Sequence, residues 1–240
     1  MKIILCGANG RMGQVICSIV DKSEKNEIVA KVDTDFDFSE ITSNGDVIID
    51  FSNPSSLDDL LKYATQNKIP VVLATTGYSD EQLKKIEDSS KLIPIFKSAN
   101  MSLGVNLIAN LASKAAKILK DDFDIEIIEA HHNQKLDAPS GTALLIADKV
   151  NNELSNKMNY EYDRHTKYEK REKSEIGIHS VRGGTIVGEH EIIFAGPDEI
   201  VKISHSARSR EIFANGAIKS AEFLIDKNPG IYDMNDLLEV

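Results

Sequence analysis

A short apolar run, Lys2–Cys6, passes straight into Gly7-Ala8-Asn9-Gly10-Arg11-Met12-Gly13 and from there into a helical pattern. No other feature limits the possible folds as strongly. A strand that turns on glycine and continues as a helix is the first half of a βαβ crossover, which commits the chain to a parallel sheet covered by helices on both faces. Ile28–Val32, Val47–Asp50, Val71–Ala74 and Ile93–Phe96 continue the alternation as strands. After Ser52, Asn53 and Pro54 supply cap and first-turn chemistry before Leu57, Leu60 and Leu61 recur at helical spacing.

Beyond Leu103 the pattern changes. A long helical stripe (Leu107, Ile108, Leu111, Ala115, Ile118, Leu119) leads to a strand at Ile125–Ala130 and a helix from about Ala143 to Leu154. Ile176–Val181, Ile186–Phe194 and Ile200–His205 then follow one another as strands, with Gly183-Gly184 and Gly196-Pro197 marking turns. Successive strands call for an antiparallel or mixed sheet. The expected fold class is therefore α/β: a Rossmann-type parallel-sheet domain plus a second α+β domain with a mixed sheet. We expect residues 1–102 and 211–240 to bind dinucleotide, the latter through a closing helix at Glu211–Ile225. Residues 103–210 should carry substrate binding, with a hinge near Ser102-Leu103-Gly104 and again near Arg210. The polar run Ser155–Glu175 reads as a mobile loop whose length points to function.

The formal charge of −10 over 240 residues argues against general nucleic-acid or anionic-membrane partners, which need a basic face. No apolar run approaches the roughly 20 residues of a membrane span. MKIILCG reads as a first strand and not as a signal peptide, so the cytoplasm is the expected compartment. Cys6 and Cys17 lack metal-ligand or disulfide-framework spacing and are expected to be reduced and buried.

Gly7 suits the tight turn, Gly10 lets the backbone approach a pyrophosphate and Gly13 allows close helix packing. Asn9 replaces the usual second glycine. Asp33 ends the second strand, 20 residues past Gly13, where a carboxylate accepts hydrogen bonds from ribose hydroxyls and repels a 2′-phosphate. Thr34 follows where an arginine would favour NADP. NADH is therefore the expected cofactor ahead of NADPH, although Lys31 or Arg11 could offset the preference. Ala74-Thr75-Thr76-Gly77 and Ser98-Ala99-Asn100-Met101 end later strands at the edge where parallel sheets place ligands, and join Gly7, Ala8, Asn9, Gly10, Arg11, Met12 and Asp33 as cofactor candidates.

The eighteen residues Glu126–Ala143, EIIEAHHNQKLDAPSGTA, concentrate acid–base and anion-binding groups. A strand delivers His131 and His132; Lys135 and Asp137 follow; Ser140-Gly141-Thr142 opens a helix whose first N–H groups attract anions. Adjacent strand residues face opposite ways, so the two histidines do not form a metal site, and no metal is expected. By the same rule Glu126 and Glu129 lie on opposite faces and read as structural pairs. Arg182 with Gly183-Gly184 reads equally well as a hairpin turn or as a flap over substrate. His165, His179, His190 and His205 read as structural or stay unassigned, and Arg208 and Arg210 as surface or interface residues.

These blocks resemble the dihydrodipicolinate reductase (4-hydroxy-tetrahydrodipicolinate reductase) family. The match runs from Glu126 through His131, Lys135, Asp137 and Pro139-Ser140-Gly141-Thr142-Ala143. It extends to the Gly7–Gly13 turn, Asp50-Phe51-Ser52, Thr75-Thr76-Gly77, Gly183 with Val187-Gly188-Glu189-His190, and Phe213-Ala214-Asn215-Gly216-Ala217. The resemblance implies reduction of a cyclic dicarboxylate imine, 4-hydroxy-tetrahydrodipicolinate, by NADH or NADPH in lysine and diaminopimelate biosynthesis. It also implies His131 as general acid/base, Lys135 as a proton donor, His132, Lys135, Ser140, Gly141 and Thr142 as substrate ligands, and a homotetramer formed through the second domain's sheet. Ala74 departs from the glycine of many members, and Thr34 from the basic residue of NADP-tolerant ones. The rival readings are another small-molecule NAD-dependent dehydrogenase and a non-catalytic dinucleotide sensor.

Overall fold

The computed structural model describes residues 1–33 and 38–239. They divide into two compact units, Met1–Leu103 with Arg210–Val240, and Gly104–Ser209.

In the first unit the elements are β1 (Lys2–Cys6), α1 (Arg11–Val20), β2 (Glu27–Val32), β3 (Val47–Asp50), α2 (Leu57–Asn67), β4 (Val71–Leu73), α3 (Asp80–Ser90) and β5 (Pro94–Lys97). The sheet is parallel, with β2 at one edge, then β1, β3, β4, β5 and a last short strand from the C-terminal tail. Strand order reverses between β1 and β3, so the loop after Cys6 sits at the switch point where open α/β sheets bind ligands. Ile3 and Leu5 point into one core with Ile16, Ile49 and Phe96, whereas Ile4 and Cys6 point into the other with Ile48, Leu60 and Ile95. Both faces being covered explains why β1 reads as continuously apolar and not as an alternation.

The second unit follows with α4 (Leu103–Leu119), β6 (Asp124–His131), α5 (Gly141–Glu153), β7 (Asn159–Glu161), β8 (Glu175–Arg182), β9 (Gly188–Ala195) and β10 (Ile200–Ala207). Its five-stranded sheet runs β10-β9-β6-β8-β7, antiparallel on the β9 and β10 side and parallel between β6, β8 and β7. Ala109, Ala112 and Ala116 of α4 and Ile146, Ala147 and Val150 of α5 close on Ile127, Ile178, Ile192 and Phe194. Small residues at the helix seam let the helices lie close to the sheet. Val181 and Ile200 are exposed large apolar residues.

The chain then returns to the first unit as α6 (Glu211–Leu224), β11 (Gly230–Tyr232) and α7 (Met234–Leu238), with β11 pairing β5. A Cβ on Gly216 would lie 1.7 Å from the Met101 carbonyl, so only glycine lets α6 pack against the segment after β5. The polar run expected to be a mobile loop is instead anchored. Arg171 donates to Glu126 Oε1 (2.9 Å) and to the carbonyls of Ile125 (3.1 Å) and Glu175 (2.6 Å), Arg164 pairs with Glu175, and part of the run forms β7. Among the described residues no helix is long and apolar enough to cross a membrane.

Candidate active site

Gly7 adopts φ +77°, and a Cβ there would lie 2.4 Å from the Phe51 carbonyl oxygen. A Cβ on Gly13 would meet the Gly7 carbonyl at 2.2 Å. Each glycine therefore answers a measured lack of space. Gly10 caps α1 in an extended conformation with no side chain bonded to the first amides, which leaves a helix start suited to a phosphate. Asp33 lies just past β2 and accepts the Asn9 N–H at 2.7 Å, which ties its carboxylate to the glycine turn. Beside it a groove of about 430 Å³ is lined by Asn9, Gln14, Cys17, Lys22 and Lys31 among others. Thr34 lies outside the described residues.

Along the same sheet edge, Asp50 ends β3 almost fully buried. Burial raises its pKa, partly offset by hydrogen bonds from Ser52, Thr75 and Tyr78. The Ser98 hydroxyl donates to the Asn100 carbonyl at 2.8 Å, and the Asn100 side-chain oxygen accepts the Ser102 N–H at 2.9 Å, so the turn at 98–102 holds its own shape. Cys6 is buried, as expected, and burial together with Asp50 and Asp33 keeps its thiol protonated; Cys17 is only half-buried and contributes to the groove.

The second unit holds a polar cluster built on the period of two in β6. Ile125, Ile127, Glu129 and His131 share the buried face, under α5. Glu129, fully buried, accepts at both oxygens: Oε2 takes His131 Nδ1 (2.6 Å) and Arg182 Nη1 (2.8 Å), and Oε1 takes Arg182 Nη2 (2.7 Å) and the Ser140 N–H (3.1 Å). Burial alone would raise the Glu129 pKa, but hydrogen bonds from Arg182, Ser180 and His131 outweigh it and bring it down to about 2. Burial lowers the pKa of His131, and the attraction of Glu129 offsets this only in part. His190 of β9 stands edge-on to His131, ring centres 5.3 Å apart, with Nε2 3.1 Å from the Ser140 hydroxyl. Lys135 pairs with Asp137 at 2.9 Å.

His131, His132, Lys135, Ser140, Gly141 and Thr142 all fall on the β6–α5 connection, which brings them together; the nucleotide-turn residues belong to the other unit. The Ser140 hydroxyl caps α5 by accepting the Ala143 N–H and also meets His190, while its own N–H is taken by Glu129, so the residue holds the turn in place. Helix α5 begins at Gly141, where a Cβ would meet nothing within 4 Å, an open approach for an anion. Glu129 pairs with Arg182 and also bonds His131 and the Ser140 turn. Arg182 and His190 arrive by sheet register, opposite His131 and Glu129 respectively. The period-two pattern could have joined Glu129 to His131, but nothing local to Arg182 or His190 points to either.

Two family models match the chain: "Dihydrodipicolinate reductase, N-terminus" over residues 1–101 and "Dihydrodipicolinate reductase, C-terminus" over residues 104–238. The second extends past Ser209 to cover α6 and α7, which pack in the first unit. The 4-hydroxy-tetrahydrodipicolinate reductase of Caldanaerobacter subterraneus subsp. tengcongensis is 53% identical over 248 residues, covering 100% of this chain and 98% of its own. That of Clostridium tetani is 51% identical over 248 residues, covering 99% and 97%. Among solved structures, a dipicolinate-bound dihydrodipicolinate reductase from Paenisporosarcina sp. TG-14 aligns at a TM-score of 0.80 with 26% identity, covering 98% of each chain. With a dinucleotide-type glycine turn in one unit and an acid–base cluster beside an anion-attracting helix start in the other, the chain belongs to the dihydrodipicolinate reductase family, the pyridine-nucleotide-dependent oxidoreductases that reduce 4-hydroxy-tetrahydrodipicolinate in lysine and diaminopimelate biosynthesis.

Proposed function

We propose that this chain reduces the cyclic dicarboxylate imine with His131 as general acid/base, Lys135 as the second proton-bearing group, and His132, Lys135, Ser140, Gly141 and Thr142 as ligands of the substrate. Ser140 also sets the turn. One observation carries the reading: Glu129 bonds His131 and the N–H of Ser140 with its two oxygens, which joins an acid–base group to an anion-attracting helix start in a single hydrogen-bonded unit. A ring dicarboxylate, the chemistry of the dipicolinate bound in the Paenisporosarcina protein, calls for the anion-attracting helix start, and reduction of its imine calls for the acid–base group. Lys135 contributes charge against one carboxylate, and the first turn of α5 contributes its dipole and amides.

Gly7, Ala8, Asn9, Gly10, Arg11 and Met12 hold the dinucleotide phosphates, Asp33 the adenosine ribose, and Ala74, Thr75, Thr76, Ser98, Ala99, Asn100 and Met101 the nicotinamide side. What the bound cofactor contributes is hydride to the conjugated ring. The residues of this chain then manage the proton, which an imidazole can transfer near neutral pH. NADH is preferred over NADPH because the Asp33 carboxylate repels a 2′-phosphate. The face of the second sheet opposite α4 and α5, with Val181 and Ile200 exposed on it, supports assembly as a homotetramer.

The test is to add the enzymatically generated imine and follow NADH absorbance, with His131→Gln and Lys135→Ala alongside. Turnover in the wild type that collapses in both variants is the expected result. Full activity in both would overturn the residue roles, and a strong NADPH preference in the steady-state rates would overturn the cofactor assignment.

A further inference from the structure

Glu129 does more than neutralise Arg182. Its two oxygens accept from the guanidinium fork, the His131 ring, the backbone N–H of Ser140 and the Ser180 hydroxyl. Arginine cannot release a proton in this range, and end-on bidentate pairing favours the charged carboxylate. An ionised carboxylate only accepts hydrogen bonds, so the ring nitrogen it meets must carry a hydrogen. On the other side of the ring Nε2 lies against Gly188, where an added Cβ would stand 3.1 Å from it, so glycine keeps that nitrogen uncrowded.

We infer that Glu129 is the positioning residue of the reaction: it holds His131 as the Nδ1–H tautomer, so that the proton is exchanged at Nε2 alone, and it locks the Ser140 turn in register with that ring. The inference rests on the proposed role of His131. It assigns Glu129 no proton of its own, since its low pKa keeps it charged while His131 gains and loses hydrogen at Nε2. The charged and titratable groups that bear on His131 are Glu129 on its own strand, Arg182 from β8, His190 from β9 and Lys135 from the following loop. A merely structural ion pair would stabilise the fold without dictating which ring nitrogen is protonated.

Nitrogen-15 spectra of imidazole-labelled enzyme, with His131→Asn to assign the signal, read the tautomer directly. Wild-type His131 should show a protonated Nδ1 and a bare Nε2 when neutral; the opposite tautomer overturns the inference, whatever becomes of any variant. Glu129→Gln offers an amide that can donate as well as accept. It should lose kcat by on the order of 10²-fold or more, as loss of a tautomer-setting carboxylate does elsewhere, with a smaller change in KM and a shifted pH–rate profile. Glu129→Asp, which keeps the charge, should recover part of kcat and the wild-type tautomer. If His131→Gln abolishes turnover while Glu129→Gln keeps the wild-type profile and tautomer, the positioning role fails and the acid role stands. If His131→Gln keeps full turnover, the acid role fails, and the inference drawn from it fails too, even with the tautomer as predicted.

Discussion

His190 makes the second unit acid-sensitive, and the size of the effect follows from its surroundings. The ring is 4% exposed and, among the described residues, hydrogen-bonded to the hydroxyl of Ser140, with His131 edge-on beside it. Burial first, and then the repulsion of a charged His131, brings its pKa from 6.5 down to about 4. The sign runs opposite to that of a histidine with an acidic partner. Between those two values the unfolded chain binds a proton that the folded chain refuses, so stability falls as pH drops from 6.5 and levels off below about 4. At 1.36 kcal/mol for each pH unit of difference, the loss across the window is roughly 3 kcal/mol. Urea unfolding followed by circular dichroism at steps from pH 7.5 to 4, wild type against His190→Asn, isolates it. Asparagine can still bond Ser140 and does not titrate, and the remaining groups are common to both proteins. The wild type should lose roughly 3 kcal/mol more than the variant over the window; parallel curves would show that His190 stays neutral, or charges, in both states alike, and the burial argument would fail.

Gly7→Ala should raise the KM for NADH at least several-fold, because φ +77° and a Cβ 2.4 Å from the Phe51 carbonyl force the turn to move, at a cost of about 1–3 kcal/mol; unchanged NADH titrations would remove the turn from the cofactor site. Gly188→Ala presses a methyl against His131 Nε2 and should lower kcat by about 10-fold while Tm moves little, since only the ring must shift by a few tenths of an ångström. Arg171→Ala removes the clamp on the run from 155 to 175, and limited proteolysis should then cut there first; an unchanged digestion pattern would mean that the other ion pairs suffice. For the proposed tetramer, Val181→Asp on the open sheet face should give smaller species in sedimentation than the wild type with the fold intact by circular dichroism, and an unchanged profile would remove that face from the assembly.

The parallel sheet was legible because its causes are local. Apolar strands buried on both faces, glycine where the chain reverses, and Asn53-Pro54 at a helix entry each leave a mark within a few residues. Elements held by distant partners left less of one. The three residues of β11 pair only with β5, some 130 positions earlier in sequence, and carry no periodicity of their own. The run from 155 to 175 reads as loop because its charges suit solvent, yet Arg171 spends its donors on Glu126 and on carbonyls of β6 and β8. A charged side chain says nothing, taken alone, about whether its partner is water or protein.

The site divides along the same line, and the division explains its chemistry. His131, Lys135 and the Ser140-Gly141-Thr142 turn are neighbours in sequence, so one strand and one helix entry bring them together. What makes His131 usable is not local: Arg182 comes from β8 opposite it, and His190 from β9 opposite Glu129. Without Arg182 a buried Glu129 would be driven toward protonation by desolvation and would cease to dictate the tautomer of His131. Without Ser140 at its second oxygen it would no longer tie the ring to the helix start. Removing either contact should therefore alter proton transfer before it unfolds the sheet, since Ile127, Ile178 and Phe194 keep the core closed beneath. The guanidinium of Arg182 therefore supports the proposed acid–base role of His131 by keeping Glu129 charged.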